Sequence, residues 1–192
     1  VLNKSKMILA LLYFLDWNVS TSSPHSFYVI WKNSFFRPNP AERPFETVSN
    51  YNTDFPFAVF FAMSHGVHRG KIKSGKGDNR EVFINKLIKK NKNIIFDVFG
   101  MNKVQPIWAD QFLQKISNSY MGLNLSRGKP IKYYSSDRIA QLVGNGLLTF
   151  IDEKTFLNDF FTDKEIIFYK NIDDLSTKLN KYKKNKKVGR KI

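Results

Sequence analysis

The chain has 192 residues, 42% hydrophobic and 15% aromatic, enough to bury one full core. It contains no cysteine, which excludes a disulfide framework, a thiolate metal site and a cysteine nucleophile. Net charge is +15, and the excess sits in two clusters. Between His65 and Asn93 nine Lys or Arg accompany two acids; between Thr177 and Ile192 eight stand with none; the remainder is neutral.

The first apolar run, Met7–Leu15, has nine residues, whereas a membrane-spanning helix needs about 20. It reads as a buried element, and residues 1–34 as the remnant of an amino-terminal domain. From Thr21 to Phe55, Pro24, Pro38, Pro40 and Pro44 interrupt regular structure, so 35–55 reads as a hinge or linker. Within the proline-rich stretch, Phe27–Trp31 is expected as one short strand. A regular alternation then begins. Unbroken apolar runs predict strands at Phe57–Met63, Ile94–Phe99, Met121–Leu125, Leu147–Ile151 and Glu165–Tyr169. Apolar stripes at helical spacing predict helices over Arg80–Lys90, from Pro106 to Ile116, over Ser136–Val143, near Thr155–Phe161 and over Asp173–Tyr182. Strict alternation implies an α/β fold, a Rossmann-like doubly wound parallel sheet of about five strands spanning 56–182, after a short irregular amino-terminal segment. Residues 183–192 read as a basic tail, solvated and suited to peripheral contact with an anionic membrane.

In such a sheet ligands bind beyond the carboxyl ends of the strands, and the polar residues gather there. Gly70–Gly77 nearly matches the P-loop pattern, but Gly77 replaces the hydroxyl that would hold magnesium. Just after the first strand, Gly66 allows close backbone approach and Arg69 suits a diphosphate. His65 and His68 lack a third ligand close in sequence, so no metal is expected. After the third strand come Asn124, Ser126, Arg127 and Gly128, then Ser135, Ser136 and Arg138 at the next helix start. Free N–H groups at a helix tip suit phosphate oxygens, and the arginines add charge-assisted hydrogen bonds. Gln141, three residues into that helix from Arg138, is placed to reach a ribose hydroxyl. The plainer reading makes a serine an N-cap and pairs Arg138 with a neighbour. Asp173-Asp174 reads as a charge pair at a helix start.

Three stretches together resemble a known pattern: Arg127-Gly128, then Ser136–Leu148 (SDRIAQLVGNGLL), then Phe168–Leu175 (FYKNIDDL). They are similar to the carboxyl-terminal, donor-binding domain of GT-B glycosyltransferases, in the group 1-like subfamily with spore-maturation glycosyltransferase-like domains. Phe35–Phe45 resembles the hinge into that domain, and Gly100 after the second strand also fits. The resemblance implies one half of a two-domain enzyme that moves a sugar from a nucleotide sugar to a saccharide or other glycan acceptor. It implies no metal and no cofactor, the nucleoside diphosphate sugar being the substrate. It directs Arg69 and Arg80 at the diphosphate and sets the Ser135–Arg138 helix start near the phosphates. Many relatives place a Glu where Gln141 stands, for the ribose. The absence of cysteine fits a cytoplasmic protein, and the basic tail suits a place peripheral to the inner membrane face. Only 34 residues precede the hinge, so the chain is expected to be a fragment, inactive alone.

Two other classes compete. A nucleic-acid-binding or scaffold module would use the two basic clusters, and a flavodoxin-type regulatory domain would need acids at the first strand end. The expected partner is a nucleotide sugar, with no nucleic acid.

Overall fold

The computed structural model describes residues 19–20, 35–36, 46–48, 50, 55, 57–64, 67–68, 71–72, 79–185 and 189. Two short pairings precede or interrupt the main domain. Strand β1 (Val19–Ser20) pairs in parallel with β2 (Phe35–Phe36). In the glycine- and lysine-rich segment, β4 (Val67–His68) pairs antiparallel with β5 (Lys71–Ile72).

The main sheet consists of β3 (Phe57–Ala62), β6 (Phe96–Phe99), β7 (Ser119–Asn124), β8 (Leu148–Asp152) and β9 (Ile167–Tyr169). All four pairings are parallel, in the order β6-β3-β7-β8-β9. All six residues of β7 are buried, as a central strand covered on both faces requires. Side-chain alternation splits the core in two. Val59, Phe61, Leu123 and Phe150 face one way, against Ile84 and Leu87 of α1 (Asn79–Lys90) and Leu175 and Leu179 of α4 (Ile172–Lys184). Phe60 and Ala62 face the other way, against Ile116 of α2 (Ala109–Ile116) and Leu142 of α3 (Asp137–Gly144). The α/β expectation holds, with a five-stranded parallel sheet flanked by helices.

Two glycines mark close approaches. A Cβ on Gly122 of β7 would lie 2.6 Å from a Leu142 methyl, so α3 seats directly on that strand. Gly100 closes β6 with φ +78°, and a Cβ there would lie 1.6 Å from the Met63 carbonyl oxygen. Only glycine fits a left-handed turn so near a neighbouring strand.

Two elements differ from expectation. Pro106 is buried but sits three residues ahead of α2, because Trp108 is extended and the helix starts only at Ala109, itself left-handed (φ 47°). Residues 155–161 form no α-helix. Two 3-10 turns, Glu153–Thr155 and Leu157–Asp159, are separated by Phe156, whose left-handed backbone breaks any continuous helix. The expected strand at Phe27–Trp31 and the element at Met7–Leu15 lie outside the described residues. Part of the expected hinge rests against the domain: Val48 N–H donates to Asn145 Oδ1 at 2.9 Å, and Asn50 Nδ2 donates to the Ile116 and Ser119 carbonyls at 2.6 and 2.8 Å.

Candidate functional site

The order β6-β3-β7-β8-β9 reverses direction between β3 and β7, the first of these strands lying inside the sheet rather than at an edge. Chains leaving those two strands diverge to opposite faces and open a crevice at their carboxyl ends. Arg138, in the first turn of α3, spans this crevice. Its Nε donates to the Ala62 carbonyl at 3.1 Å and its Nη1 to the Leu125 carbonyl at 2.9 Å. The guanidinium carbon lies 5.4 Å from the centroid of the Phe61 ring. Burial first, and the nearby positive charge of Arg80 second, push its pKa down to about 10. At neutral pH it stays charged, and Arg80, at the start of the helix after β3, is near enough for its charge to be felt.

Beside them a cleft of about 190 Å³ opens over the ends of β7, β8 and β9. The start of α1 contributes Asn79, Arg80 and Phe83; the end of β7 contributes Asn124, and the loop after it Ser126, Gly128 and Pro130. Asp152 and Tyr169, the last residues of β8 and β9, form its wall. Tyr169 is 1% exposed, stacks on Phe83 at 6.3 Å, and its hydroxyl has no hydrogen-bond partner among the described residues. A buried polar group left unsatisfied is costly, and a cleft beside it can hold the missing partner. Burial first, then the Asp152 charge, raise the Tyr169 pKa above its ordinary range. The Asp152 carboxyl is also raised, by burial, against the opposing hydrogen bond from the Lys154 amide.

The structure brings most of the sequence-derived residues to this edge. Arg80 lines the cleft, and the exposed Arg127 stands between two lining residues, Ser126 and Gly128. Ser136 occupies the N-cap position of α3 with extended backbone, yet its hydroxyl accepts no N–H from the helix; it donates to Asn124 Oδ1 at 3.1 Å. Ser136 therefore does not cap α3 with its side chain, and Ser135 beside it is buried. Gln141 is half-buried one turn further along. Arg138 is present but committed to strand-end carbonyls through two of its nitrogens. Gly66 and Arg69 lie outside the described residues. Sequence reasoning missed Asp152 and Tyr169, although both occupy the terminal position of their strands, where such residues are to be sought.

The sequence profile of the glycosyl transferase-like family matches residues 80–192, more than half of the chain. This chain belongs to the glycosyl transferase-like family. The matched span begins at Arg80 and contains the whole of the cleft wall except Asn79. No curated protein matches the chain. Membership carries a role in glycosyl transfer, with a sugar donor and an acceptor as its general partners. Among the described residues no helix is long and apolar enough to cross a membrane.

Proposed function

We propose that this glycosyltransferase domain holds a nucleoside diphosphate sugar in the cleft at the strand ends, as the donor-binding half of a GT-B arrangement. The observation that carries the reading is the cleft at the strand ends, lined by Arg80 and by the polar residues Asn124, Ser126 and Asp152, with the buried Arg138 fixed at the neighbouring switch point: a cationic, polar cleft at that edge suits a diphosphate. In this reading Arg80 and Arg127 bind the diphosphate, the start of α3 beside Ser135 and Ser136 turns its positive dipole end toward the same oxygens, and Arg138 fixes the crevice and adds its field. Gln141 contacts the ribose. Gly66 and Arg69 belong to the same proposal as contacts to the diphosphate. Charge neutralisation falls to arginines, so the proposal includes neither a metal nor a cofactor. The acceptor is a saccharide or other glycan.

Asp152 and the Tyr169 hydroxyl, on the far wall, suit the sugar hydroxyls: a carboxylate accepts, and a phenol does both. The eight cations between Thr177 and Ile192 support a further element of the proposal, peripheral contact with an anionic membrane from the cytoplasmic side.

Isothermal titration with UDP, GDP and their hexose derivatives tests the donor reading. Affinity is expected to depend on the identity of the base and sugar. The rival reading, a nucleic-acid module, predicts binding to any duplex that collapses steeply with salt. Tight binding to a random duplex with no response to any sugar nucleotide would transfer the assignment to that class.

A further inference from the structure

The two basic clusters, far apart in the sequence, meet at the carboxyl ends of α1 and α4. A polar seam joins these ends. Asn91, 1% exposed, accepts at Oδ1 from Ser176 Oγ at 2.7 Å and from Asn180 Nδ2 at 2.8 Å. Asn93 Nδ2 donates to Asn180 Oδ1 at 2.8 Å, and Lys183 Nζ donates to the Asn93 carbonyl. Six exposed lysines stand at the seam: Lys89, Lys90 and Lys92 from the first cluster, Lys181, Lys183 and Lys184 from the second. Asp173 pairs with Lys90 at 2.5 Å, and the charge of Asp163 reaches Tyr182, so the local balance stays positive. Ile95, two residues past Asn93, is 57% exposed at the same end. Beyond α4 the chain is held to the domain: Gly189 is buried, and a Cβ on it would lie 1.6 Å from the Tyr120 hydroxyl oxygen. Lys186, Lys187, Arg190 and Lys191 flank that glycine in the sequence.

We infer that this lysine-covered seam docks the domain on an anionic lipid surface. The inference rests on the membrane element of the reading above, not on the donor cleft, and gives that element a surface built from both clusters. A helix end needs only a cation or two to complement its dipole, and Lys92 lies beyond α1 altogether. The six cations are all lysines, compact hydrated charges that suit a diffuse layer of headgroups. A nucleic-acid surface favours arginine forks and stacked aromatic rings instead. Ile95 adds an apolar tip among the charges, the combination an interfacial contact uses. The arrangement also sets an orientation. Arg80 in the first turn of α1 lines the cleft, and Lys90 ends the same helix about 15 Å away. Docking through the seam therefore leaves the cleft open.

The test is co-sedimentation of the full chain with phosphatidylcholine vesicles, plain or carrying about 30% phosphatidylglycerol. Binding is expected to the anionic vesicles alone. Each lysine near such a surface raises partition about fivefold. The combined variant Lys89→Gln, Lys92→Gln, Lys181→Gln, Lys184→Gln is therefore expected to bind at least tenfold more weakly, with its melting temperature kept. It spares Lys90 and Lys183, which hold Asp173 and the Asn93 carbonyl. Should it fail to fold, the pair Lys92→Gln, Lys184→Gln takes its place, with a loss of at least fivefold expected. Equal binding to plain vesicles, or unchanged binding of the variant, overturns the inference. So does a loss confined to a second variant, with Lys186, Lys187, Arg190 and Lys191 all changed to Gln, which would assign the contact to the tail alone. Tighter binding to a random DNA duplex than to anionic vesicles at the same salt, lost in the seam variant, would make the surface a nucleic-acid one and also overturn it. UDP and GDP titrations keep the donor reading separate. The seam variant is expected to retain the parent's nucleotide affinity within about twofold, since the substituted lysines lie at the far end of α1 from Arg80. A parent that binds vesicles and no nucleotide loses only the donor cleft; one that binds nucleotide and no vesicles loses only the docking surface.

Discussion

The Nε of Arg138 donates to the Ala62 carbonyl across 3.1 Å, joining the first turn of α3 to the carboxyl end of β3. With the second bond, to Leu125, one planar group bridges the ends of two adjacent parallel strands beyond the Phe60–Gly122 pair, where the ladder between them stops. A hydrogen bond to a charged donor contributes about 1.5–3 kcal/mol, and its removal leaves a sheltered carbonyl unsatisfied. Arg138→Ala is therefore expected to lower the unfolding free energy by about 3 kcal/mol in urea titrations. Arg138→Lys should restore less than half of the loss, because an ammonium cannot fork to two carbonyls. Full restoration by lysine would reduce the role of Arg138 to that of a point charge.

Arg80 carries the opposite expectation. It starts a helix, lines the cleft, and faces the charge of Arg138. Its removal takes a phosphate contact from the bound protein. Arg80→Ala should leave the fold intact, and should weaken UDP or GDP binding about tenfold or more. Titration calorimetry beside thermal unfolding reads both numbers. Equal nucleotide affinity in the variant would remove Arg80 from the site.

Gly100 tests the sheet edge itself. Its φ of +78° and the 1.6 Å approach of a built Cβ to the Met63 carbonyl oxygen leave no room for a side chain. The obstructing atom is backbone, so it cannot rotate away. Gly100→Ala is expected to cost about 2–4 kcal/mol, the sum of a strained left-handed residue and local overpacking. A chemical denaturation midpoint equal to that of the parent would contradict this geometry.

Much of this architecture is legible in the sequence because a parallel sheet buries both faces of its strands. The run Phe57–Ala62 can be nothing else, and the alternation with Ile84 and Leu142 on opposite helices follows from it. The loop clusters are legible for the same reason, since polar residues interrupt those runs only at strand ends. What escapes is decided by backbone angle. Thr155–Phe161 has helical composition, but Phe156 at φ 55° divides it, and no residue type there announces a left-handed turn as glycine would. Arg138 is legible as a cation at a helix start, whereas its commitment to Ala62 and Leu125 depends on which strands are neighbours, which local spacing does not encode. Tyr169 reads as one more aromatic of a buried strand; only the cleft beside it makes its hydroxyl informative.

Asp97 provides a pH readout separate from the cleft. It lies in β6, burial raises its pKa against the lowering charge of Lys115, and its Oδ2 is buried without a hydrogen-bond partner among the described residues. An acid whose folded pKa is raised binds more protons folded than unfolded across the interval between the two values. Its contribution is thus fully present below the unfolded value, near 3.9, and is lost as pH rises through the folded one. Asp97→Asn should flatten the stability profile from about pH 4 upward relative to the parent. Parallel slopes for the two proteins would mean that Asp97 is solvated in solution.

Tyr169→Phe separates folding from binding at the cleft wall. The hydroxyl is buried, unpartnered among the described residues, and raised in pKa by burial and by Asp152, so the folded state gains nothing visible from it. Deleting an unsatisfied buried hydroxyl while keeping the ring retains the stacking on Phe83, and stability should stay level or rise by about 1 kcal/mol. If a donor sugar supplies the missing partner, the same deletion leaves a sugar hydroxyl unmatched in the complex. Affinity for the sugar nucleotide should then fall about tenfold, while affinity for the bare nucleoside diphosphate stays the same. That split, read by calorimetry with UDP-hexose or GDP-hexose against UDP or GDP, assigns the Tyr169 wall to the sugar. A stability loss above 1 kcal/mol without the split would instead make the hydroxyl part of the fold, satisfied by a water held between Tyr169 and Asp152.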